Sequence, residues 1–285
     1  GGNLLERRKM NNNVLVIGNG YLGNKVAEYF DCYLFEEKLC TQAEADFCIK
    51  VWKPKFVINC AGKTGRPNID WCEVHKEETF FGNVILPTYI QSACNKFGAK
   101  MVHVGSGCIY QGNYDGNGFT EDAAPNHDSS YYSWTKIVSE RYLNGHDVLQ
   151  LRIRMPLSSD RSPRNLLSKL LGYSMVVDAP NSITYIPDLL EVMRSLISMN
   201  ASGIYNVVNP DPILHSEILK KYEQISGKTL SYKTITADDL DSITLAKRSN
   251  CVLSIKKLNA LGLQMRPSSY AVDDCIRKYV EGGNV

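Results

Sequence analysis

Residues 105–112 read GSGCIYQG, directly after the apolar run MVHV. A hydroxyl at Ser106 and a thiol at Cys108 are two positions apart, which puts both on the same face of a strand and so toward the same carbonyl. Some 26 residues on, Tyr132 and Lys136 stand in the spacing YxxxK, which stacks them on one face of a helix. A tyrosine hydroxyl, with an ordinary pKa of about 10, exchanges protons poorly at neutral pH. A neighbouring ammonium favours the phenolate and lowers that value. Ser106, Tyr132 and Lys136 together therefore suit carbonyl chemistry, with one group to orient a C=O, one to pass the proton and one to tune it. Cys108 has two readings. A thiol with a pKa of about 8.5 exchanges protons in both directions near neutrality; most thiols in such a chain are small buried hydrophobes. His103 and His127 are weaker candidates, His103 because it sits inside a buried strand pattern and reads as a core histidine.

These groups need a scaffold. VLVIG (14–18), CYLFE (32–36), FVINCAG (56–62), KMVHVGS (100–106) and VLQLRIR (148–154) read as strands. Between them YLGNKVAEYF (21–30), EADFCIKVWK (44–53), NVILPTYIQSACNKFG (83–98) and part of 129–145 read as helices. Short, solidly apolar strands alternating with helices predict parallel βαβ units. Helices over 186–199 and 212–226 follow, with a strand over 203–209 between them. The polar stretch 111–128 is a long loop after a strand's carboxyl end, where sites collect. The first strand runs into Gly18-Asn19-Gly20-Tyr21-Leu22-Gly23, whose three glycines suit a tight turn, close approach of a pyrophosphate and close helix packing. At a strand–helix junction this predicts dinucleotide binding. Glu36, 18 residues after Gly18, suits the ribose 2′-hydroxyl of NAD, whereas Lys38 suits the 2′-phosphate of NADP; the sequence leaves both open.

The predicted fold class is α/β, a Rossmann-type doubly wound parallel sheet with a smaller, discontinuous substrate-binding domain. Residues 1–12 read as a flexible leader. Residues 13–155, joined by 184–210, make the NAD(P)-binding domain, and 156–183 with 211–285 the substrate-binding domain. The 285 residues suffice for a sizeable core. A net charge of +2 gives no nucleic-acid footprint, no apolar run approaches the roughly 20 residues of a membrane span, and no signal-peptide core stands at the start. A cytoplasmic protein with neither nucleic acid nor membrane as partner is expected. Nine cysteines without a CxxC pair predict reduced thiols and no metal.

On the glycine turn, NCAG (59–62), Asn83, Ser106, Tyr132 and Lys136, the chain resembles the extended short-chain dehydrogenase/reductases that act on nucleotide sugars. The words GRPNIDWCE (65–73), GCIY (107–110), RMPLSSD (154–160), PRN (163–165) and GIYNVVNP (203–210) narrow the resemblance. They are similar to the bifunctional 3,5-epimerase/4-reductases of rhamnose synthesis, in the UDP-linked form found in plants, with relatives in large DNA viruses. The resemblance implies 3,5-epimerisation and NAD(P)H-dependent 4-reduction of UDP-4-keto-6-deoxy-D-glucose to UDP-β-L-rhamnose. Tyr132 is then the acid–base, Lys136 the ribose ligand and Ser106 the carbonyl-orienting hydroxyl. Cys108 and Lys169 are implied as the proton-moving pair, since inverting a carbon needs one group on each face.

Tyr21, Leu22, Cys60, Ala61 and Gly62 are implied to line the cofactor, NADPH with NADH as the alternative. Asn83 and Asn165 are implied substrate contacts. Arg66 and Arg164 are candidates for the diphosphate, which suits guanidinium forks. A homodimer is implied through helices that include the one carrying the tyrosine. Two departures stand out: serine replaces threonine at 106, and Lys63 stands where a small apolar residue is expected. The alternatives are a reductase acting alone on dTDP-4-dehydrorhamnose, and a non-catalytic nucleotide-binding regulatory subunit.

Overall fold

The computed structural model describes residues 11–282, so most of the expected leader lies outside it. In chain order the first half runs β1 (Val14–Ile17), α1 (Tyr21–Phe30), β2 (Tyr33–Phe35), α2 (Gln42–Trp52), β3 (Phe56–Asn59), α3 (Asp70–Val74), α4 (Lys76–Phe80), a π-helical turn (Phe81–Ile85), α5 (Leu86–Phe97), β4 (Lys100–Ser106), α6 (Tyr131–Leu143) and β5 (Val148–Ile153). There follow β6 (Pro156–Leu157), α7 (Leu166–Leu171), β7 (Met175–Val177), β8 (Thr184–Tyr185), α8 (Ile186–Ser198), β9 (Gly203–Asn206), α9 (His215–Ser226), β10 (Lys233–Ile235), α10 (Ala237–Asp241), α11 (Lys256–Asn259) and α12 (Ser268–Glu281).

Six strands form one sheet in the order β2-β1-β3-β4-β5-β9. The β1–β2, β1–β3 and β3–β4 pairs are parallel, Val16 standing opposite both Leu34 and Ile58. The chain leaves β1 to one side for β2 and returns across it to β3. The order therefore reverses at β1, and the crevice beyond the carboxyl ends of β1 and β3 is where this architecture takes ligands. All four residues of β1 are buried, as a strand covered on both faces must be. The Rossmann-type α/β expectation is met.

The chain divides into two compact units. The first comprises the chain up to Gly105 with Thr135–Leu151 and Asn200–Ile204. Its core joins Leu15, Ile17, Ile49, Val57, Ile90, Met101 and Val148. The capping box of α2 starts that helix two residues earlier than expected: Thr41 Oγ1 accepts from the Glu44 N–H and Glu44 accepts from the Thr41 N–H.

The second unit comprises Ser106–Trp134, Arg152–Met199 and the chain from Tyr205 on. Two parallel two-stranded sheets, β7–β10 and β6–β8, accompany a core in which Leu166, Leu167, Leu170, Ile218, Leu219, Val272 and Ile276 meet. The expected loop 111–128 is tied down in this unit. Gly112 and Phe119 bridge Cys251 and Leu253, and the buried Arg152 guanidinium donates to the Glu121 carbonyl while lying 5.2 Å from the Tyr110 ring centre.

Candidate active site

The glycine turn of the first unit is shaped by steric necessity. Gly18 has φ +112°, a region closed to most side chains, and a Cβ there would meet the Ala61 backbone nitrogen and lie 2.7 Å from the Cys60 carbonyl carbon. The Cys60 N–H donates to the Ile17 carbonyl at 2.8 Å, so the ends of β1 and β3 are pressed together here. Gly23 packs as closely on the Gly18 carbonyl. At Gly20 a Cβ would meet nothing within 4 Å, so this stretch of backbone lies open. No side chain caps α1 and its first turn holds no acid, which leaves its N–H groups and positive dipole end for an anion. These residues fit a dinucleotide pyrophosphate. Tyr21 and Leu22 open α1 behind the turn, and Glu36 and Lys38 stand exposed just beyond β2.

Lys136 belongs to the same region. A Cβ on Gly62 would lie 3.4 Å from Lys136 Nζ and 3.3 Å from Asn83 Oδ1, so the ammonium reaches the loop that follows β3. Burial and nearby Cys32 push the Cys60 thiol up to about 12, so residues 60–62 offer a ligand backbone rather than a reactive sulfur.

Asn83 was expected at a helix start. It lies instead inside a continuous helical run from Lys76 to Phe97, in the π-helical turn. Pro87 supplies a reason: it has no N–H to give the Asn83 carbonyl four residues back, and its ring would crowd that carbonyl in a regular helix. The widened turn aims the Asn83 amide at the loop after β3. Its Oδ1 accepts from the Lys63 N–H at 2.7 Å, and its Nδ2 donates to the Lys63 carbonyl at 3.0 Å and to Thr135 Oγ1 at 3.1 Å. Asn83 thereby holds the Lys63 backbone and ties it to the helix carrying Lys136. The Lys63 ammonium lies 5.8 Å from the Trp71 ring centre, a use for a cation where a small apolar residue was expected. Arg66 is exposed.

His103 is a core residue. Its Nδ1 lies 3.1 Å from Asn59 Nδ2, Asn59 Oδ1 accepts from the Ala61 N–H, and burial with Lys136 nearby pushes the imidazole down to about 3. His127, in the second unit, is shifted below the ordinary imidazole value, chiefly by burial.

In the second unit β4 ends at Ser106, and Cys108 sits in the turn beyond it. Strand alternation therefore does not place the thiol. Hydrogen bonds do: the Cys108 N–H donates to Ser106 Oγ at 3.1 Å, and the Cys108 carbonyl accepts from Ser133 Oγ at 2.8 Å. The bond to Cys108 occupies a lone pair of the Ser106 oxygen, so the hydroxyl proton can point to another acceptor. Ser133 follows Tyr132 at the start of α6, where the Ser133 N–H is capped by Ser130 Oγ. Tyr132 and Lys136 are both buried and one turn apart on this helix.

Lys169 lies half-buried on α7. Burial, and then the Arg164 charge, hold its ammonium below the ordinary lysine range. Asn165 is fully buried and caps this helix. Its Nδ2 donates to the Ser158 and Asp160 carbonyls, and its Oδ1 accepts from the Ser158 and Leu167 N–H groups. All four hydrogen-bonding positions of the amide are thus taken by the chain itself. The residue expected to touch sugar holds the 158–160 turn against α7. Sequence reasoning missed Ser130 and Ser133, which are ordinary polar residues without a distinctive spacing, and gave Asn59, the first residue of NCAG, no role of its own. Pro87 was the available signal for the π-helical turn. Among the described residues no group of His, Cys, Asp and Glu is placed to hold a metal, and no helix is long and apolar enough to cross a membrane.

Comparison with known proteins adds four findings. The model of the family described as "Epimerase: NAD dependent epimerase/dehydratase family" matches residues 1–151. A bifunctional dTDP-4-dehydrorhamnose 3,5-epimerase/dTDP-4-dehydrorhamnose reductase of Arabidopsis thaliana is 40% identical over 215 residues, covering 72% of this chain and 71% of that protein. A trifunctional UDP-glucose 4,6-dehydratase/UDP-4-keto-6-deoxy-D-glucose 3,5-epimerase/UDP-4-keto-L-rhamnose-reductase of the same plant is 36% identical over 241 residues; the match covers 81% of this chain and 35% of that longer protein. Among solved structures, the L780 UDP-rhamnose synthase of Acanthamoeba polyphaga mimivirus superposes with a TM-score of 0.87 at 27% identity, covering 93% of this chain and 99% of that one.

Proposed function

The chain belongs to the NAD dependent epimerase/dehydratase family, and on that premise we propose that it inverts C3 and C5 of UDP-4-keto-6-deoxy-D-glucose and reduces C4, giving UDP-β-L-rhamnose. The observation that carries this reading is the bond from the Cys108 N–H to Ser106 Oγ. It orients a hydroxyl with a proton to give a carbonyl and sets a thiol two residues away.

The C3 and C5 protons are both α to the C4 ketone, so losing either gives an enolate. The Ser106 and Tyr132 hydroxyls stabilise the enolate oxygen, a role in which each donor aimed at developing charge is worth roughly 100- to 1000-fold. Cys108 and Lys169 move the protons. The depressed pKa of Lys169 makes its neutral amine more available than an ordinary surface lysine's. A nicotinamide cofactor held by these residues would supply hydride chemistry at C4, and Tyr132 gives the C4 oxygen its proton. Lys136, beside Gly62, holds the ribose and favours the tyrosinate. Gly18, Gly20 and Gly23 take the pyrophosphate. Arg66 and Arg164 are assigned to the substrate diphosphate, and Asn83 and Asn165 to positioning.

By ligand rather than by packing, residues 13–155 with 184–210 serve the cofactor, and 156–183 with 211–285 serve the sugar nucleotide. Lys38 points to NADPH as the preferred cofactor. The enzyme works in the cytoplasm as a homodimer; Trp134 and Tyr142, each 40% exposed on α6, support association through that helix.

The test is turnover in heavy water with UDP- and dTDP-linked 4-keto sugar and with both cofactors. Deuterium at C3 and C5 of a rhamnosyl product is expected. Reduction without label would leave a reductase alone, and no NAD(P)H oxidation would leave a nucleotide-binding regulatory protein.

A further inference from the structure

The geometry points to Ser133 as a positioning residue for the Cys108 thiol, an inference that rests on reading Cys108 as a proton carrier. Ser133 is 1% exposed and lies in the first turn of α6. A serine near a helix start ordinarily bonds locally, to its own cap or to the preceding turn. This one reaches out of its helix to the carbonyl of a residue 25 positions earlier.

Cys108 needs such a contact because β4 has ended before it, so no strand ladder fixes its peptides. The Cys108 N–H and carbonyl are each held by a side-chain hydroxyl, Ser106 on one and Ser133 on the other. The preceding peptide is held as well: the Gly107 N–H donates to the Ile153 carbonyl at 3.0 Å, and the Gly107 carbonyl accepts from Cys251 Sγ at 3.2 Å. A Cβ on Gly107 would lie 2.6 Å from Leu253 Cδ1 and 2.9 Å from Arg154 Cδ, so this peptide has no room to swing that way. Ser133 completes the set from the helix that carries Tyr132. Its hydroxyl fixes the backbone that bears the thiol to the helix that bears the tyrosine, and misplacing a catalytic group by about 1 Å costs on the order of 100-fold.

The experiment separates the two half-reactions. Deuterium exchange at C3 and C5 is followed with UDP-4-keto-6-deoxy-D-glucose. Reduction is followed with the already epimerised 4-keto-L-rhamnosyl nucleotide. Ser133→Ala is expected to slow exchange at least about tenfold, mainly in kcat, while the reduction rate stays within about threefold. Ser133→Thr keeps the hydroxyl and is expected to restore exchange. Should Ser133→Ala not fold, Ser133→Cys retains a weaker donor, and an intermediate exchange rate is expected from it. Exchange that is unchanged in Ser133→Ala, or exchange and reduction falling equally without rescue by Ser133→Thr, overturns the inference. No label with the unsubstituted protein is a separate result, and it sinks the reading of Cys108 itself.

Discussion

The two units hold their chemical groups by different means. In the first, the glycine turn is fixed by backbone sterics: Gly18 and Gly23 are tolerated where a Cβ would collide with main chain, and Gly20 leaves a stretch of main chain bare. In the second, Ser106, Cys108 and Lys169 are held by hydroxyls and amides, with Ser133, Asn165 and Ser130 as the fixing residues. Steric fixation permits one residue type. Hydrogen-bond fixation is graded, since a lost hydroxyl weakens a position without forbidding it. Substitutions in the first unit should therefore abolish function and those in the second should attenuate it.

The largest effect tests the steric side. Gly18→Ala puts a methyl group against the Ala61 and Cys60 backbone at a φ of +112°, and backbone strain of this kind costs about 1–3 kcal/mol before any collision is counted. Loss of NADPH binding by fluorescence titration, with a lowered melting temperature, is expected. Retained binding would erase the contrast between the units. Next is Tyr132→Phe, which removes the hydroxyl assigned to both of the proposed half-reactions. A fall of roughly 100- to 10,000-fold is expected in exchange and reduction alike, with NADPH binding kept. If reduction alone falls, Tyr132 has no part in stabilising the enolate.

The same contrast explains what could be read in the sequence. A glycine pattern at a strand end has few other uses, and the apolar strands 14–17, 56–59 and 148–153 are legible because both sheet faces are covered. Helix α12 went unread, although Ala271, Val272, Cys275, Ile276 and Tyr279 recur at helical spacing and are buried on one face. The strands β6, β7, β8 and β10 were not legible, because two or three residues make no period. Lys169 was singled out by family resemblance, and Cys108 by its spacing from Ser106, the resemblance then giving it a role. The local pattern misplaced Cys108 on a strand, since the serines that hold it come from distant parts of the chain. Asn165 carried the family's word, but its amide is consumed by its own turn, which only three-dimensional placement reveals.

Lys169 gives a finer test of the graded side. Its folded pKa is lowered by burial and by Arg164, so its amine forms at a lower pH than in a solvated lysine. Deuterium exchange should rise with pH along a limb that lies below the ordinary 10.5. Lys169→Arg keeps a cation that does not deprotonate in this range. It is expected to slow exchange by about 100-fold and to abolish the limb, while reduction of the epimerised ketone persists. A limb that survives in Lys169→Arg would assign it to another group and remove Lys169 from the chemistry.

The smallest effect treats the two units alike. Each holds a neutral histidine: the buried His103, pushed down to about 3, and the half-buried His215, pushed down to about 4, in both cases chiefly by loss of solvent. His103 Nδ1 faces Asn59 Nδ2, so it must accept and stay unprotonated, while His215 Nε2 lies 3.2 Å from Met155 Sδ. Because both folded pKa values lie below the unfolded value of about 6.5, the unfolded chain binds the extra protons first. The stability these groups contribute is fully present above that pH and is lost as pH falls toward 4 and then 3. The loss is about 1.4 kcal/mol per histidine per pH unit, or tenfold in the folding equilibrium. Urea midpoints at pH 6.5 and 5.5 span the start of this loss while remaining above most of the carboxylate range. His103→Gln should remove only its own share of the decline, the rest staying with His215 and His127, and the ring C–H resonances of His103 and His215 should not titrate above pH 5. A ring that titrates near 6.5 would mark its unit as open to water at the core, and the two units would then differ in packing as well as in how they hold their chemistry.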